Sequence, residues 1–496
     1  MSGFQIALVP LDERPVCAGL PGMVAAVAGA GVTTPPAELM PRFRTPGDPA
    51  GLDRWLQEQA MSAHAVVVAL ETLGHGGLVP SRLGAETSRT ISARWEMLCD
   101  IAVPVHASTV VMRTPDADDA TEEPEYYESC GRALHRLSAV LHEQADGTAN
   151  DQSVIAARRA VPAAARRDFF ARRRRNHELN LHALGLAADG ILQTLVVTAD
   201  DTAAVAVGTA EHEWLSHWVD WLELGDRVLT YPGADEVGAV LVARALVLDS
   251  AAPLRVSIEA DRPEALDRLA AYENVPVRVT AARQVAAAGC VVVAGPGDAD
   301  LHLLVHAPQS GDWAVAPPTS TDTAAAEATA GRAAALVHAG QAVAVADCAQ
   351  GNGADPALVA ALTSRIPIPA LAGYAGWNTA GNTIGTAVAH GAATVVGRRD
   401  GTFDPLAHER LLLHRLTEDW AYMAIVRGAV RAERGGDWHR HLMVQAGDPV
   451  VTVIESRLTQ SLATVRGSSG WRIRPGSVHL PWQRLFEVGF ELEQVP

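Results

Sequence analysis

ILQTLVVTADDT, residues 191–202, and RVLTYPGADEVG, residues 227–238, decide how this chain reads. Each is an apolar, partly β-branched run that stops at two adjacent acids. These are Asp200 and Asp201 in the first, Asp235 and Glu236 in the second. Between them EHEWLSHWVDWLEL, residues 211–224, carries apolar residues at near-helical spacing. The pattern is strand, helix, strand, with carboxylates at the C-terminal ends of both strands. In barrels and open sheets of parallel strands, that edge is where ligands bind and chemistry is done.

Working outward, the same alternation continues. QIALVPL (5–11) ends at Asp12 and Arg14, and AHAVVVALE (63–71) ends at Glu71. The glycine-rich stretch TLGHGGLVPSR (72–82), which holds His75, reads as a loop that lets backbone approach a ligand. VHASTVVMRTP (105–115) delivers Arg113. An acidic, turn-rich region (116–128) precedes helices up to residue 190, including the basic run RRDFFARRRRNHELN (166–180), read as a solvated helix face. Downstream, strand-like runs end at Glu259, His306 and Asp347, and at Trp377 with Asn378. A helix is expected over 264–273, a short strand at PVRVT (276–280), and a helix over the Ala/Thr-rich 319–338. From about residue 403 a long helical stretch leads into a mixed tail, and no internal repeat or long linker stands out.

This alternation predicts an α/β protein with largely parallel strands. Counting polar strand ends favours a (β/α)8-barrel-like, TIM-barrel domain over 1–400, with a small C-terminal helical and β subdomain over 401–496. A doubly wound open sheet is the alternative.

Of 496 residues, 48% are hydrophobic and 20% charged, an ordinary globular balance. The net charge of −17 argues against nucleic acid or an anionic membrane surface as partner. Five scattered cysteines without a CxxC make neither a disulfide framework nor a structural zinc site. No signal peptide or membrane-length apolar run is read, so a cytoplasmic location is expected. A neutral or cationic small molecule fits better as partner, and self-association into a homo-oligomer is compatible with the sequence.

Several motifs, in order, resemble an uncharacterised bacterial family, domain of unknown function 4127. They are LVPLDERPV, GHGGLVPSR, TADDTAAVAVG, YPGADEVG and GYAGWNTAGNTIGTAVAHG, and the likeness covers nearly the whole chain. Where that family reads LDMLAYGG this chain reads LETLGHGG, keeping an acid at Glu71 and replacing the tyrosine by His75. The family name carries no activity. A looser, fold-level similarity is to barrel glycosidases of the hexosaminidase kind, which place an acid pair at the end of the fourth strand, as Asp200-Asp201 would be.

Glycoside hydrolysis needs one carboxyl held neutral to protonate the leaving oxygen and another, ionised, as nucleophile or base. Asp201 is the expected general acid, Glu236 the nucleophile or base, and Asp200 orients Asp201 or takes a sugar hydroxyl. Trp377 offers a face for a sugar ring, Asn378 a bidentate hydroxyl contact, and Arg14 and Arg113 fixed donors. Asp12, Glu71, His75, Asp235 and Asp347 complete the expected substrate-binding set. The bland alternative for the acid pairs is helix capping after βα loops. No cofactor is expected. Another possibility is Mg²⁺ or Ca²⁺ held by Asp12, Glu71, Asp201, Glu236 and Asp347, with His75 or His306 admitting a transition metal. A non-catalytic sugar- or metabolite-binding protein is the reading from another class.

Overall fold

The computed structural model describes residues 3–200, 203–318, 321–435 and 443–495. The described chain divides into two compact units. The first comprises 1–13, 32–241 and 272–275, the second 14–31, 242–271 and 276–496.

The first unit is built on a six-stranded sheet. Its strands are β1 (Gln5–Val9), β2 (Gly31–Thr33), β3 (Ala65–Ala69), β4 (Val105–Val111), β5 (Thr194–Ala199) and β6 (Val228–Pro232), in spatial order β2-β1-β3-β4-β5-β6. The ladder from β1 to β6 is parallel throughout, for example Leu8 opposite Val67 and Val197 opposite Thr230. The runs of valine that mark β3 and β4 are buried along their whole length, as expected of strands covered on both faces. Helix Ala163–Ala188 packs on β4 and β5, and helix Val207–Trp221 packs against β4, β5 and β6. Leu179, Ala183 and Leu215 thereby join the sheet's own side chains in one core. A second apolar cluster, around Leu134, Leu137 and Phe169, holds the helices at 127–145 and 151–160 to the start of 163–188.

The second unit repeats the plan. Its main sheet comprises β7 (Arg255–Ala260), β8 (Val291–Val292), β9 (Leu301–His306), β11 (Val343–Asp347) and β13 (Gly373–Ala375), ordered β13-β11-β9-β7-β8. Two short strands, β10 (Gly311–Asp312) and β12 (Gln350–Gly351), form a separate parallel pair. Helix Ala380–Asp400 lies against β9, β11 and β13, begun by Thr379, whose hydroxyl caps the N–H of Asn382. Read in chain order, the first five strands of one unit and the five of the other both follow 2-1-3-4-5. This is the doubly wound order in which ligands sit between strands 1 and 3. The repetition, absent from the sequence pattern, is architectural.

Neither sheet closes on itself: β2 and β6 are the edges of the first, β8 and β13 of the second. The barrel expected from counting strands is therefore not formed among the described residues, and the open-sheet alternative matches the topology. Strand ends look alike in both architectures, because local sequence marks a strand without naming its neighbour. Two smaller expectations also change. PVRVT belongs to helix Val277–Ala287, and of 264–273 only Pro263–Asp267 winds, as a 3₁₀ turn. The long helical stretch is present over Pro405–Glu433, its middle (Leu416–Val426) widened to a π-helix. A terminal antiparallel pair, β14 (Trp471–Ile473) with β15 (Leu492–Gln494), completes the chain's described strands.

Candidate functional site at the strand ends

In the first unit the chain leaves β1 toward one side of the sheet and later returns to build β3 on the other, so the switch point lies between β1 and β3. The two exits are tied together: the Thr72 hydroxyl donates to Leu11 O at 2.7 Å, and the Leu78 N–H to the same carbonyl at 3.3 Å. The glycine-rich stretch behind β3 is two short helices, Leu70–His75 and Leu78–Leu83, rather than a loop. Gly76 and Gly77 make the break at φ +79° and +137°. A Cβ at Gly76 would meet Gly47 N at 2.8 Å, so close backbone approach, not only conformation, requires glycine there.

Glu71 sits in the first turn after β3, buried. Its Oε1 accepts the Val110 N–H at 2.7 Å and the Thr109 hydroxyl at 3.1 Å. Oε2 has no hydrogen-bond partner among the described residues and is wholly buried. Burial outweighs those hydrogen bonds and lifts its pKa to about 7. Beside it, with His75, Ser81, Asn176 and Asn180, lies a cavity of about 10 Å³, room for about one water. His75 is pressed the other way, to about 3, by burial and then by the charges of Arg175 and Arg94, and so stays neutral.

One helix further on, Arg82 is the centre of a buried ion-pair knot. Its guanidinium binds Asp200 at the end of β5, Glu122 at 2.8 Å and Glu123 at 3.4 Å. Arg113, at the end of β4, binds the same Glu122 and Glu123, each at 3.0 Å. The basic run, read as solvated, does part of this positioning. Arg172 donates to the carbonyls of Arg82, Leu83 and Gly84, and Arg175 to those of Ser81 and Gly84. These are the orphan carbonyls of helix Leu78–Leu83, so cations cap its C-terminus. Arg173 is also buried, paired with Glu211 at 2.6 Å. Only part of the run faces solvent: Arg174 does.

At the end of β6, Asp235 and Glu236 are both buried, Glu236 completely. Gly233, at φ +127°, brings the backbone against the Glu236 carboxylate: a Cβ there would lie 2.5 Å from Oε1. Asp12, after β1, is buried as well. Asp201, the expected general acid, lies outside the described residues, while its neighbour Asp200 is held by Arg82.

The remaining expected residues belong to the second unit. Arg14 is buried with its guanidinium 4.4 Å from the ring of Trp482 and 3.7 Å from Glu487. Asp347, at the end of β11, accepts the Asp355 N–H at 2.7 Å, and burial raises its pKa to about 7. Asp355 also takes the His306 ring at 3.0 Å, and both side chains are wholly buried. That hydrogen bond, with Asp347 nearby, lifts His306 above its ordinary pKa although burial opposes it. Trp377 is buried, its N–H donating to the Thr386 hydroxyl at 3.1 Å. Asn378, at φ +53°, accepts the Asn352 N–H at 2.7 Å. The sequence-predicted residues therefore fall in two groups, one in each unit: Asp12, Glu71, His75, Arg113, Asp200, Asp235 and Glu236; and Arg14, Asp347, Trp377 and Asn378.

Sequence reading missed Arg82, Glu122, Glu123 and Asp355. For the first three the signal was present as an arginine inside the glycine-rich motif and an acidic turn region without an assigned partner. Asp355-Pro356 looks like a plain helix start, and Asp355 does cap that helix while also binding His306.

Two open parallel sheets with ionisable side chains buried at their C-terminal edges define this as an α/β protein of the doubly wound kind. The chain matches the family described as "Protein of unknown function (DUF4127)" over residues 6–491, and it belongs to that family. No curated protein and no solved structure matches it, so the similarity to barrel glycosidases has no structural counterpart. No helix among the described residues is long and apolar enough to cross a membrane.

Proposed function

We propose that the chain is an enzyme, a hydrolase of a carbohydrate or similar polyhydroxylated small molecule. In this reading it works by carboxylate acid–base chemistry at the C-terminal edge of the first unit's sheet. The observation that carries the reading is Glu71: a buried carboxyl beside the β1/β3 switch point, with a pKa near 7, facing a cavity with room for about one water. Such a group titrates near neutral pH and can give up or take a proton there. Two and three strands along the same sheet edge, after β5 and β6, stand the ion-paired Asp200 and the buried Glu236. Acid–base hydrolysis uses one carboxyl that holds its proton and another that is ionised. In this reading Glu71 supplies or stores the proton and Asp201 delivers it to the leaving oxygen. Glu236 is nucleophile or base, and Arg82 and Arg113 fix the acidic cluster.

The test is hydrolysis of a panel of aryl glycosides, with and without EDTA, by the wild type and by Asp201→Asn, Glu236→Gln and Glu71→Gln. Support is EDTA-resistant activity that falls about a hundredfold or more in the first two variants. Activity abolished by EDTA and restored by Mg²⁺ or Ca²⁺ would transfer these acids to a metal shell. Silence across the panel, from protein with a normal unfolding transition, would overturn the glycosidase reading.

A further inference from the structure

Helix Val207–Trp221 turns an aromatic face to solvent. Trp214 is 45% and Trp221 59% exposed, and Leu222 beside them is exposed too. The two indoles meet edge to face, centroids 5.4 Å apart, and Trp221 also packs on Trp218 at 5.3 Å and on the His217 ring at 5.9 Å. Each ring is thus held by its neighbours before anything binds. Single exposed apolar residues are ordinary, whereas a contiguous aromatic patch is the usual mark of a docking surface. Asp220, Glu223 and Asp226 interleave or follow these residues along the chain, exposed and in no ion pair among the described residues. Arg227 is the only lysine or arginine in 211–227. Two copies of this face would repel each other, so its complement has to be apolar and cationic.

The same unit carries such a surface. A groove of about 540 Å³ opens where helix Ala163–Ala188 begins, walled by Leu83, Pro124, Tyr126 and Pro162. A groove of that size has room for an indole. Its own charges balance, Arg44 and Arg172 against Glu125 and Asp168. Outside that balance are Arg158, Arg159 and Arg167, each exposed and each within four residues of a lining residue along the chain. None of the three enters an ion pair among the described residues. Arg166, between them in sequence, is spent on the carbonyls of Arg158 and Val161. In a chain of net charge −17 this is a local excess of cations beside an apolar hollow.

We propose that the Trp214/Trp221 face docks in this groove on a second copy of the chain. Trp221, the more exposed indole, is the anchor in the hollow, and Trp214 and Leu222 close round it. Asp220 and Glu223 meet the partner's Arg158, Arg159 and Arg167, which sets the register and excludes the face-to-face pairing of two acidic patches. The contact joins unlike surfaces that every copy possesses, and it does not depend on the reaction the chain performs.

The experiment is sedimentation velocity of the full chain from about 1 to 100 μM, at about 50 and 500 mM salt. Association that rises with concentration and weakens at the higher salt is expected. Trp214→Ala combined with Trp221→Ala should raise the dissociation constant about tenfold or more. Asp220→Arg with Glu223→Arg should leave a monomer, and so should Arg159→Glu with Arg167→Glu. An equimolar mixture of these two charge-reversed variants should associate again, because each then supplies the complement of the other. Misfolding of either variant could not produce that result. A wild type that stays monomeric throughout would overturn the proposal. So would association unmoved by the tryptophan or charge changes, or a mixture that stays monomeric while both variants unfold at the wild-type temperature.

Discussion

Glu71 Oε1 and the backbone N–H of Val110 are 2.7 Å apart, so the acid that follows β3 is hydrogen-bonded to the neighbouring strand β4. That bond fixes the carboxyl where burial raises its pKa to about 7 from an ordinary 4.5. As pH rises from 4.5 the unfolded chain gives up this proton first, and the folded chain keeps it until about 7. The group therefore favours the folded state less and less across that window. Glu71→Gln, a neutral isostere of the protonated form, should match the wild type in stability below pH 4.5. Above pH 7 it should exceed the wild type by on the order of 3 kcal/mol. Denaturant unfolding at pH 4.5 and 8 measures this; an equal difference at both pH values would refute the assignment.

Arg82 gathers Glu122, Glu123 and Asp200, and it is itself 2% exposed. Removing it leaves three acids near Arg113 alone. Arg82→Met should cost about 3–5 kcal/mol, because buried charges lose their counter-ion. Arg82→Lys, which keeps the charge but not the planar fork, should cost less. The check is chemical unfolding of both variants. If methionine proved as stable as arginine, the knot would be a neutral ornament of the fold.

Buried imidazoles set the acid limit. Burial, then neighbouring positive charge, holds His75 and His414 to about 3 and His408 to about 4, and drives His390 well below its ordinary value. Each favours the folded state above pH 6.5 and ceases to as pH falls toward its folded value. Glu71, Asp347 and Glu418, all raised by burial to about 7, work in the opposite sense between about 4 and 7. The two sets oppose each other between about pH 4.5 and 6.5, so thermal stability should change less steeply there than at lower pH. Below about 4.5 these raised acids no longer oppose the histidines, so the loss should steepen. A decline of constant slope from pH 6.5 downward would contradict this opposition.

Gly233→Ala is expected to be severe for its size. The φ of +127° is strained for any residue with a side chain, and the new methyl would press on the buried Glu236 carboxylate. A loss of about 1–3 kcal/mol is expected. If Glu236 takes part in turnover, kcat should fall with KM little changed. Steady-state kinetics at a temperature where the variant stays folded separates the two effects.

Local features were legible and partnerships were not. The strands before Glu71, Asp200, Glu259, His306 and Asp347 could be read because β-branched runs stop abruptly at a polar residue. Which strands pair is decided by connections and by burial on both faces, so the strand ends at Asp12 and Asp347 looked like parts of one barrel. Each stands in a different sheet. PVRVT has β-branched residues yet winds as a helix, its Val277 and Thr280 buried by tertiary packing that overrides propensity. The Arg82 knot escaped notice because its three acids come from residues 122, 123 and 200, separations over which sequence periodicity carries no information.

The interleaving of the two units has a consequence for how the protein is made. Helix Leu20–Val27 emerges from the ribosome early but packs against helices Ala380–Asp400 and Pro405–Arg415, and Val27 O receives the Asp404 N–H at 3.0 Å. It must wait for nearly the whole chain to be synthesised, with buried-to-be Leu20, Val24 and Val27 uncovered in the meantime. The first unit's sheet, by contrast, has all its strands once Pro232 has left the exit tunnel. Nascent chains stalled shortly after residue 275 should already protect β1 and β3–β6 from protease, while 14–31 stays cleavable. For the same reason no single cut yields two independently expressible halves, and any dissection has to graft 14–31 onto the C-terminal portion.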